Sequence, residues 1–330
     1  FAANPEKIMT ELALYTAYLE ERIAALEFPE NPGNLYDPLS YFLSLGGKRM
    51  RPMLTLISGE IFGIPKETSI HAALCVEIFH NFSLIHDDIM DEAPFRRGKA
   101  TVHTKWNTNI AILSGDVLFV EAYRQLANYA DQRLPLLLNR FNETAIEVCE
   151  GQQLDMDFEG LPSVSEAEYI EMIRLKTSVL LGCALEFGAI LGNRDEETRK
   201  NMYEFGVSLG IAFQIQDDIL DLYGDPELFG KQVGGDILSN KKTLLFLKAK
   251  AIAAQASDAR FEQLIHMTAN SEKIAHAKTL FEETGAKAAT LEVMNEYYEQ
   301  AMTNLRQLEA KGWNTKALHE LAQFLITREL

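Results

Sequence analysis

Residues 71–91 read HAALCVEIFHNFSLIHDDIMD, and residues 205–222 read FGVSLGIAFQIQDDILDL. In both stretches apolar residues occupy nearly the whole circumference of a helix, which is typical of a helix buried in the core. Both stretches nevertheless carry the pattern DDxxD near their ends. The two stretches therefore predict central helices whose acidic groups serve a polar site.

The rest of the chain shows helical patterns as well. Apolar positions recur every three and four residues, and no alternating stretch is flanked by hairpin-turn pairs. Pro and Gly concentrate in a few short segments, and after one of them Ser165 and Glu168 have the spacing of a capping box. No low-complexity linker or internal repeat divides the 330 residues. We predict an all-α protein with a single domain, residues 1–330.

Composition limits the classes of function. The net charge of −17 argues against nucleic acid as a partner, because a phosphate backbone needs a basic face. The sequence has no run of about 18 apolar residues, so no membrane-spanning helix is predicted. Cys75, Cys149 and Cys183 are far apart and form no CxxC pair. We expect buried thiols in a reducing cytoplasm.

The two aspartate clusters predict metal binding. In a helix, the first and last Asp of each cluster lie about 40° apart around the axis and about 6 Å apart along it. Asp87 with Asp91, and Asp217 with Asp221, can therefore reach the same small cation. An all-oxygen site suits Mg²⁺, which leaves room for waters and substrate phosphates. The middle Asp of each cluster points about 100° away and is expected to support the site.

Two carboxylate faces turned towards each other across a cavity would hold several divalent ions around a diphosphate. Such ions stabilise the negative charge that builds on a leaving diphosphate, so no protein nucleophile is needed. The sequence offers no nucleophile elbow of the GxSxG type. We therefore expect a reaction that begins by breaking a carbon–oxygen bond to diphosphate.

Cationic clusters predict where phosphates bind. GGKRMRP (46–52) combines paired glycines with three cations that are expected to converge on an anion. RRGK (96–99) closely follows the first Asp cluster, and KT (176–177) interrupts an apolar stretch. Lysines flank the glycine-rich segment 230–235, a pattern typical of a lid over phosphates. His80 lies two helical turns before the first Asp cluster and is either a diphosphate ligand or a packed polar residue.

Together these motifs resemble the trans-isoprenyl diphosphate synthases. The resemblance rests on segments in the family's order and spacing: GGKRMRP (46–52), HNFSLIHDDIMDEAPFRRGKATVH (80–103), GDVLF (115–119), GQQLD (151–155), KTSVL (176–180), FQIQDDILDLYGD (213–225) and GKQVGGDILSNKKT (230–243). It implies an isoprenoid synthase fold, with helices surrounding a deep central cavity, and a homodimer. It also implies a prenyltransferase that condenses isopentenyl diphosphate with an allylic diphosphate: dimethylallyl, geranyl or farnesyl.

The resemblance implies roles for individual residues. The implied metal ligands, which would bind three Mg²⁺ ions per active site, are Asp87, Asp91, Asp155, Asp217 and Asp221. The implied catalytic residues are Lys176, Thr177, Gln214 and Lys231. The implied substrate-binding residues are Lys48, Arg51, His80, Arg96, Arg97, Gln152, Phe213 and Lys241. Of these, the residues that match the isopentenyl diphosphate site are Lys48, Arg51, His80, Arg97 and Phe213.

Product length is predicted from the helix before the first Asp cluster. Phe82 lies five residues, about 7.5 Å, before Asp87 and would form a floor for the growing chain. Ser83 beside it is small, and Phe79 stands one turn further back. Within the family, an aromatic residue at this position before an uninterrupted DDxxD resembles the geranylgeranyl type. We expect a product of fifteen to twenty carbons, with twenty favoured; ordinary core packing of both Phe residues is the alternative.

Three other functions stay open: a class I terpene cyclase, a non-catalytic subunit of a heteromeric prenyl synthase, and a metal phosphohydrolase. Cyclases of this fold usually alter the second Asp cluster, which is intact here, and a subunit would have lost an Asp cluster or a phosphate-binding Arg. A phosphohydrolase built on His86 and Asp87 would need further His ligands at helical spacing. Beyond Thr243 the resemblance fades. The tail 327–330 lacks the family's frequent basic end, which leaves its role in closing the site open.

Overall fold

The structure is a computed structural model that describes residues 5–224 and 233–326, with side chains from residue 10 onward. These residues fold almost entirely into helices joined by short turns. Within these ranges the only strands are Phe95–Arg96 (β1) and Lys99–Ala100 (β2), which pair antiparallel. The predicted all-α fold is confirmed. None of the described helices combines the length and the apolar character that crossing a membrane requires.

The described helices fall on either side of residue 195. The earlier ones are α1 Pro5–Ala24, α2 Gly33–Leu43, α3 Met50–Ile61, α4 Lys66–Met90, α5 Val102–Lys105, α6 Thr108–Leu126, α7 Leu134–Gly160, α8 Glu166–Ile173 and α9 Val179–Leu191. A five-residue π-helix, Arg174–Ser178, joins α8 to α9. The later ones are α10 Glu196–Tyr223, α11 Gly235–Leu238, α12 Leu244–Ala256, α13 Arg260–Ile265, α14 Ser271–Glu283, α15 Ala286–Ala310 and α16 Lys316–Ile326.

The described residues form two compact units, each built from several chain segments. The first unit comprises residues 5–143, 180–203 and 312–317, and the second comprises residues 144–179, 204–224, 233–311 and 318–326. In the first unit, α4 packs against α3 and α6; in the second, α12 packs against α8 and α15. The single domain over residues 1–330 stays a prediction.

Helix α4 is the buried helix that the sequence predicts. It begins after Pro65, whose backbone is extended, and most of its apolar residues are buried, although Met90 at its end is exposed. It ends at Met90 with Asp91 as its C-cap, and Glu92 then takes a left-handed conformation with φ of 50°. The first Asp cluster therefore lies at the C-terminal end of a largely buried helix.

Helix α8 begins with the predicted capping box. Ser165 Oγ accepts a hydrogen bond from Glu168 N at 3.2 Å, and Glu168 Oε2 accepts one from Ser165 N at 2.7 Å. This reciprocal pair satisfies backbone donors at the start of the helix. Helix α8 thereby fixes the segment that leads into the π-helix.

Candidate active site

The first Asp cluster is organised around Asp88. This residue is only 1% exposed, and its Oδ1 accepts a hydrogen bond from Arg96 Nε at 2.8 Å. Burial raises the pKa of Asp88, and the Arg96 guanidinium opposes this shift. Arg96 Nη2 also lies 3.7 Å from Asp87 Oδ2. Asp87 is half-buried and Asp91 exposed, so the middle Asp faces inward while the outer two are accessible.

A β-hairpin brings Arg96 to the cluster. Phe95 pairs with Ala100, and Arg96 pairs with Lys99. The two turn residues, Arg97 and Gly98, have φ values of 52° and 73°, the positive values that two-residue hairpin turns favour. Because the turn is this tight, Arg96 folds back onto the end of α4.

Positive charge also surrounds His80, in the middle of α4. Arg51 Nη1 lies 3.3 Å from His80 Nε2. The pKa of His80 is well below its usual range, because the ring is buried and because it lies near Arg51, Arg97, Arg96 and Arg49. A neutral imidazole among arginines marks a place where an anion such as diphosphate is favoured.

The three cations of GGKRMRP do not converge, and this part of the prediction is wrong. Lys48 is exposed, whereas Arg49 is 3% exposed and points into the interior. There Arg49 bonds to two carboxylates and one carbonyl, from Glu20, Glu77 and Leu43. The buried Glu77 and the partly exposed Glu20 draw Arg49 inward, and the local sequence could not show them.

The second Asp cluster is organised around Asp218. This residue is 6% exposed; its Oδ2 accepts a short hydrogen bond from Tyr169 Oη, and its Oδ1 accepts one from Gln214 Nε2 at 3.2 Å. Burial raises the pKa of Asp218 to about 8, against the opposing effect of these hydrogen bonds. Gln214, a predicted catalytic residue, thus contacts the middle Asp of the cluster.

Asp221, at the end of the same cluster, holds the segment that follows. Its Oδ2 accepts a hydrogen bond from Asp236 N at 3.0 Å, and its carbonyl accepts one from Gly234 N at 2.6 Å. Lys241 N in turn donates to the Asp236 carbonyl at 2.8 Å. The segment that carries Lys241 is therefore tied to α10. Lys231 lies outside the described residues, as does the tail 327–330.

Lys176 and Thr177 lie on the π-helix. Lys176 Nζ donates to Asp155 Oδ2 of α7 at 2.6 Å. A Cβ atom on Gly151 would lie 2.2 Å from Lys176 N, and one on Gly210 would lie 2.9 Å from the Cα of Ser178. The absence of side chains at these glycines lets α7 and α10 approach the π-helix. The sequence analysis missed this π-helix, although Gly151 opens the motif GQQLD.

The remaining predicted residues of the second unit lie on the same two helices. Gln152 precedes Asp155 by one turn on α7, and Phe213 precedes Asp217 by one turn on α10. The second unit therefore joins Asp155 with Lys176 and Gln214 with Asp218 through direct contacts.

An aromatic cluster lies behind the first Asp cluster. The rings of Phe82 and Phe119 stack with centroids 4.8 Å apart, and Phe79 packs against Phe82, Phe119 and Phe141 at 5.4, 5.5 and 5.3 Å. Ser83 Oγ donates to a carbonyl in the preceding turn at 2.8 Å. The sequence analysis singled out Phe79, Phe82 and Ser83 but missed Phe119 and Phe141. Phe119 closes the motif GDVLF, which was an available signal.

The predicted metal ligands offer carboxylate oxygens, the donors that Mg²⁺ prefers. Among residues 5–224 and 233–326, no three His, Cys, Asp or Glu side chains form a ready-made metal-binding group. His86, the candidate phosphohydrolase ligand, bonds to the Ile112 carbonyl at 3.1 Å and packs against the ring of Phe82. The donor chemistry fits Mg²⁺ held jointly with substrate oxygens, and the individual ligands stay predictions.

The chain resembles known proteins over most of its length. Residues 32–284 match the family described as Polyprenyl synthetase. The chain belongs to the polyprenyl synthetase family. The predicted family and the predicted class of enzyme, a short-chain prenyltransferase, are thereby confirmed.

Similar proteins cover nearly the whole chain. It is 38% identical over 320 residues to geranylgeranyl pyrophosphate synthase of Geoglobus acetivorans, with 94% of this chain and 96% of the relative covered. It is 34% identical over 297 residues to geranylfarnesyl diphosphate synthase of Aeropyrum pernix, with 88% and 92% covered. The crystal structure of geranylgeranyl pyrophosphate synthetase from Pyrococcus horikoshii Ot3 matches with a TM-score of 0.89 at 34% identity, covering 98% of this chain and 99% of that one. The predicted isoprenoid synthase fold is confirmed.

Proposed function

We propose that this polyprenyl synthetase condenses isopentenyl diphosphate with allylic diphosphates to give a product of fifteen to twenty carbons, with geranylgeranyl diphosphate favoured. One observation carries the proposal. Two groups that can bind a diphosphate lie along helix α4: arginines around His80 in its middle and, at its end, Arg96 with carboxylates that would hold Mg²⁺. An enzyme that joins two diphosphates needs both groups, whereas a cyclase or a hydrolase needs only one.

The carboxylate group takes the allylic diphosphate. In the first unit, Asp87 and Asp91 would hold Mg²⁺ and Arg96 would contact the diphosphate. In the second, Asp155, Asp217 and Asp221 would hold Mg²⁺, with three ions per active site in all. When bound, Mg²⁺ neutralises the charge that develops on the leaving diphosphate. The Lys176 ammonium, 2.6 Å from Asp155 Oδ2, adds positive charge beside this proposed ligand.

The arginine group takes isopentenyl diphosphate. Arg51 and Arg97 supply charge, Lys48 is exposed on the adjoining loop, and neutral His80 accepts a hydrogen bond from Arg51 through Nε2, which orients that guanidinium. The allylic carbon–oxygen bond breaks, the isopentenyl double bond attacks the allylic carbon, and a proton is lost to the departing diphosphate. This chain therefore positions substrates and stabilises charge, and it needs no general base of its own.

The aromatic cluster sets the product length. Phe82 and Phe119 form a stacked pair one and a half turns before Asp87, and Phe79 and Phe141 stand behind them. A growing chain that starts at the first Asp cluster would meet this aromatic floor after a few isoprene units. Replacing Phe82 or Phe119 by Ala should lengthen the product. Phe62→Leu, at a residue that packs on Trp313 elsewhere in the first unit, is the control that leaves length unchanged.

A homodimer and a cytoplasmic location belong to the same proposal. Helix α6 exposes Ile112, Leu113 and Val120, with 40%, 57% and 60% of their surfaces accessible. Exposed apolar patches mark protein interfaces, so this face of α6 is the proposed dimer contact. Cys75 and Cys183 are buried as expected, whereas Cys149 is exposed, so the expectation of buried thiols is wrong for Cys149. All three cysteines lie within the described ranges and form no disulfide, which suits a reducing compartment.

The decisive experiment incubates purified protein with Mg²⁺, labelled isopentenyl diphosphate and, separately, dimethylallyl, geranyl or farnesyl diphosphate. Products are identified by chromatography and mass spectrometry after phosphatase treatment. We expect a discrete twenty-carbon prenyl alcohol that disappears with EDTA. Turnover of an allylic diphosphate without isopentenyl diphosphate would indicate a cyclase, activity only with an added relative would indicate a subunit, and phosphate release without a new carbon–carbon bond would indicate a hydrolase.

A further inference from the structure

The loop before α3 has an unusual backbone. Gly46, Gly47 and Arg49 all have positive φ, with values of 73°, 148° and 48°. Such values are ordinary for Gly but unfavourable for Arg. Contacts outside the loop must therefore hold Arg49 in place. The position of Arg49 is important because its neighbours, Lys48 and Arg51, are the proposed diphosphate ligands.

The side chain of Arg49 is held by three separate elements. Its Nε donates to Glu20 Oε1 of α1 at 2.7 Å, its Nη1 donates to Glu77 Oε1 of α4 at 2.5 Å, and its Nη2 donates to the Leu43 carbonyl at 2.8 Å. The side chain is fully buried. Two carboxylates neutralise the guanidinium in the interior, so Arg49 cannot also bind substrate.

Glu77 links Arg49 to the proposed isopentenyl diphosphate site. It is 2% exposed, and its Oε1 also accepts a hydrogen bond from Asn81 Nδ2 at 2.9 Å. Glu77 precedes His80 by three residues, so both lie on the same turn of α4. That turn therefore holds Arg49 through Glu77 and contacts Arg51 through His80.

A second arginine closes the loop from the other side. Arg97 Nη1 donates to the Gly46 carbonyl, and a Cβ atom on Gly47 would lie 2.9 Å from Arg97 Nη2. The loop 46–49 is therefore fixed between Arg97 and the buried ion pair of Arg49. Because both ends are fixed, the position of Lys48 depends on the Arg49 contacts.

We propose that Arg49 is a positioning residue for isopentenyl diphosphate: its buried ion pair with Glu77 and its partly exposed ion pair with Glu20 hold loop 46–49 so that Lys48 and Arg51 reach the same anion. This inference rests on the proposed function. It assigns Arg49 and Glu77 an effect on one substrate only. The allylic diphosphate, bound through Arg96 and the Asp clusters, should not sense the loop.

The test compares the KM values of the two substrates. Glu77→Gln keeps a hydrogen-bond acceptor and removes the ion-pair charge. We expect it to raise the KM for isopentenyl diphosphate about tenfold, a change of about 1.4 kcal/mol in binding free energy. The KM for farnesyl diphosphate and kcat at saturation should stay within about twofold. Arg49→Met should have a larger effect in the same direction, and Arg49→Lys should recover part of that loss.

Glu186→Gln is the matched control. It breaks the ion pair between the partly exposed Arg140 and the buried Glu186 in the first unit, and should lower Tm without changing either KM. Titration calorimetry with isopentenyl diphosphate alone gives a readout independent of turnover, and Glu77→Gln should weaken this binding about tenfold.

Two kinds of failure can be told apart. A wild-type protein that neither binds isopentenyl diphosphate nor elongates an allylic primer overturns the proposed function. Wild-type elongation combined with an unchanged isopentenyl KM in Glu77→Gln, or with equal rises in both KM values, overturns the positioning role alone. If Arg49→Met does not fold, Glu77→Gln and Arg49→Lys still decide the matter.

Discussion

The two Asp clusters share a sequence pattern but differ in how their middle residue is held. Asp88 bonds to a cation, Arg96, at 2.8 Å, whereas Asp218 bonds to two neutral donors, Tyr169 and Gln214. Burial raises the pKa of both carboxyls, and that of Asp218 reaches about 8. One copy of the motif is thus built on a charge pair and the other on a neutral hydrogen-bond cluster.

This difference separates two roles within each motif. The outer Asp residues are the proposed metal ligands in both clusters, so they should respond alike to substitution. The middle residues support helix ends in different electrostatic settings, so they should respond differently.

The largest effect is expected at the outer residues. Asp87→Asn and Asp217→Asn should each lower kcat by about 10²- to 10³-fold, because each removes charge that acts on the leaving diphosphate. Steady-state elongation assays at saturating Mg²⁺ measure the kcat of each variant. Asp131→Asn, which changes an exposed Asp paired with Arg133, is the control and should leave kcat unchanged. A loss below tenfold in either variant would contradict the metal role of that residue.

The next largest effect is expected at Arg96 and Tyr169, the residues that bond to the middle Asp of each cluster. Arg96→Ala leaves a buried carboxylate without its cation and should lower the free energy of unfolding by about 3 kcal/mol. Tyr169→Phe removes a neutral donor and should cost about 1 kcal/mol, because Asp218 can remain protonated. Urea denaturation of both variants gives the comparison. Equal losses would show that the two clusters are not electrostatically different.

Two glycines test how firmly each region is packed. A Cβ atom on Gly151 would meet the backbone of Lys176 at 2.2 Å, whereas one on Gly115 would meet the ring of His86 at 2.3 Å. A side chain can rotate away more easily than a backbone. Gly151→Ala should therefore cost about 3 kcal/mol and reduce kcat, and Gly115→Ala about 1 kcal/mol. Thermal unfolding and kcat measurements check both, and a more damaging Gly115→Ala would reverse the comparison.

A more gradual effect is a dependence of stability on pH. The pKa of Asp218 in the folded protein, about 8, lies above its ordinary value of 3.8. Between these values the folded state binds one more proton than the unfolded state, so this contribution to stability is lost progressively as pH rises from the lower value to the higher one. The expected slope is about 1.4 kcal/mol per pH unit. The free energy of unfolding of the wild type and of Asp218→Asn is measured without Mg²⁺ over a range of pH, and the difference between the two proteins should change with pH. A difference that does not change with pH would rule this effect out.

Local features were predictable from the sequence because they depend on neighbouring residues. Helix α4 and the capping box at Ser165 follow from helical periodicity and from a spacing of three residues. The family followed from motifs that lie within short segments. The catalytic and metal-binding roles, and the single domain, stay predictions until the experiments above are done.

Features that depend on distant neighbours were missed. The inward turn of Arg49 requires Glu20 and Glu77, which lie 29 and 28 residues away. The π-helix around Lys176 requires the close approach of α7 and α10 at Gly151 and Gly210. No periodicity within the GGKRMRP or KTSVL segments contains this information.

The sequence by itself determined that the chain is helical, that two buried helices carry DDxxD, and that its motifs are those of a prenyl synthase. Periodicity and spacing are properties of adjacent residues, so they can be read without a structure. Only the tertiary structure decided that Asp88 is held by a cation and Asp218 by neutral donors. Burial and partner charge, which set the pKa of a carboxyl, come from residues that folding brings together.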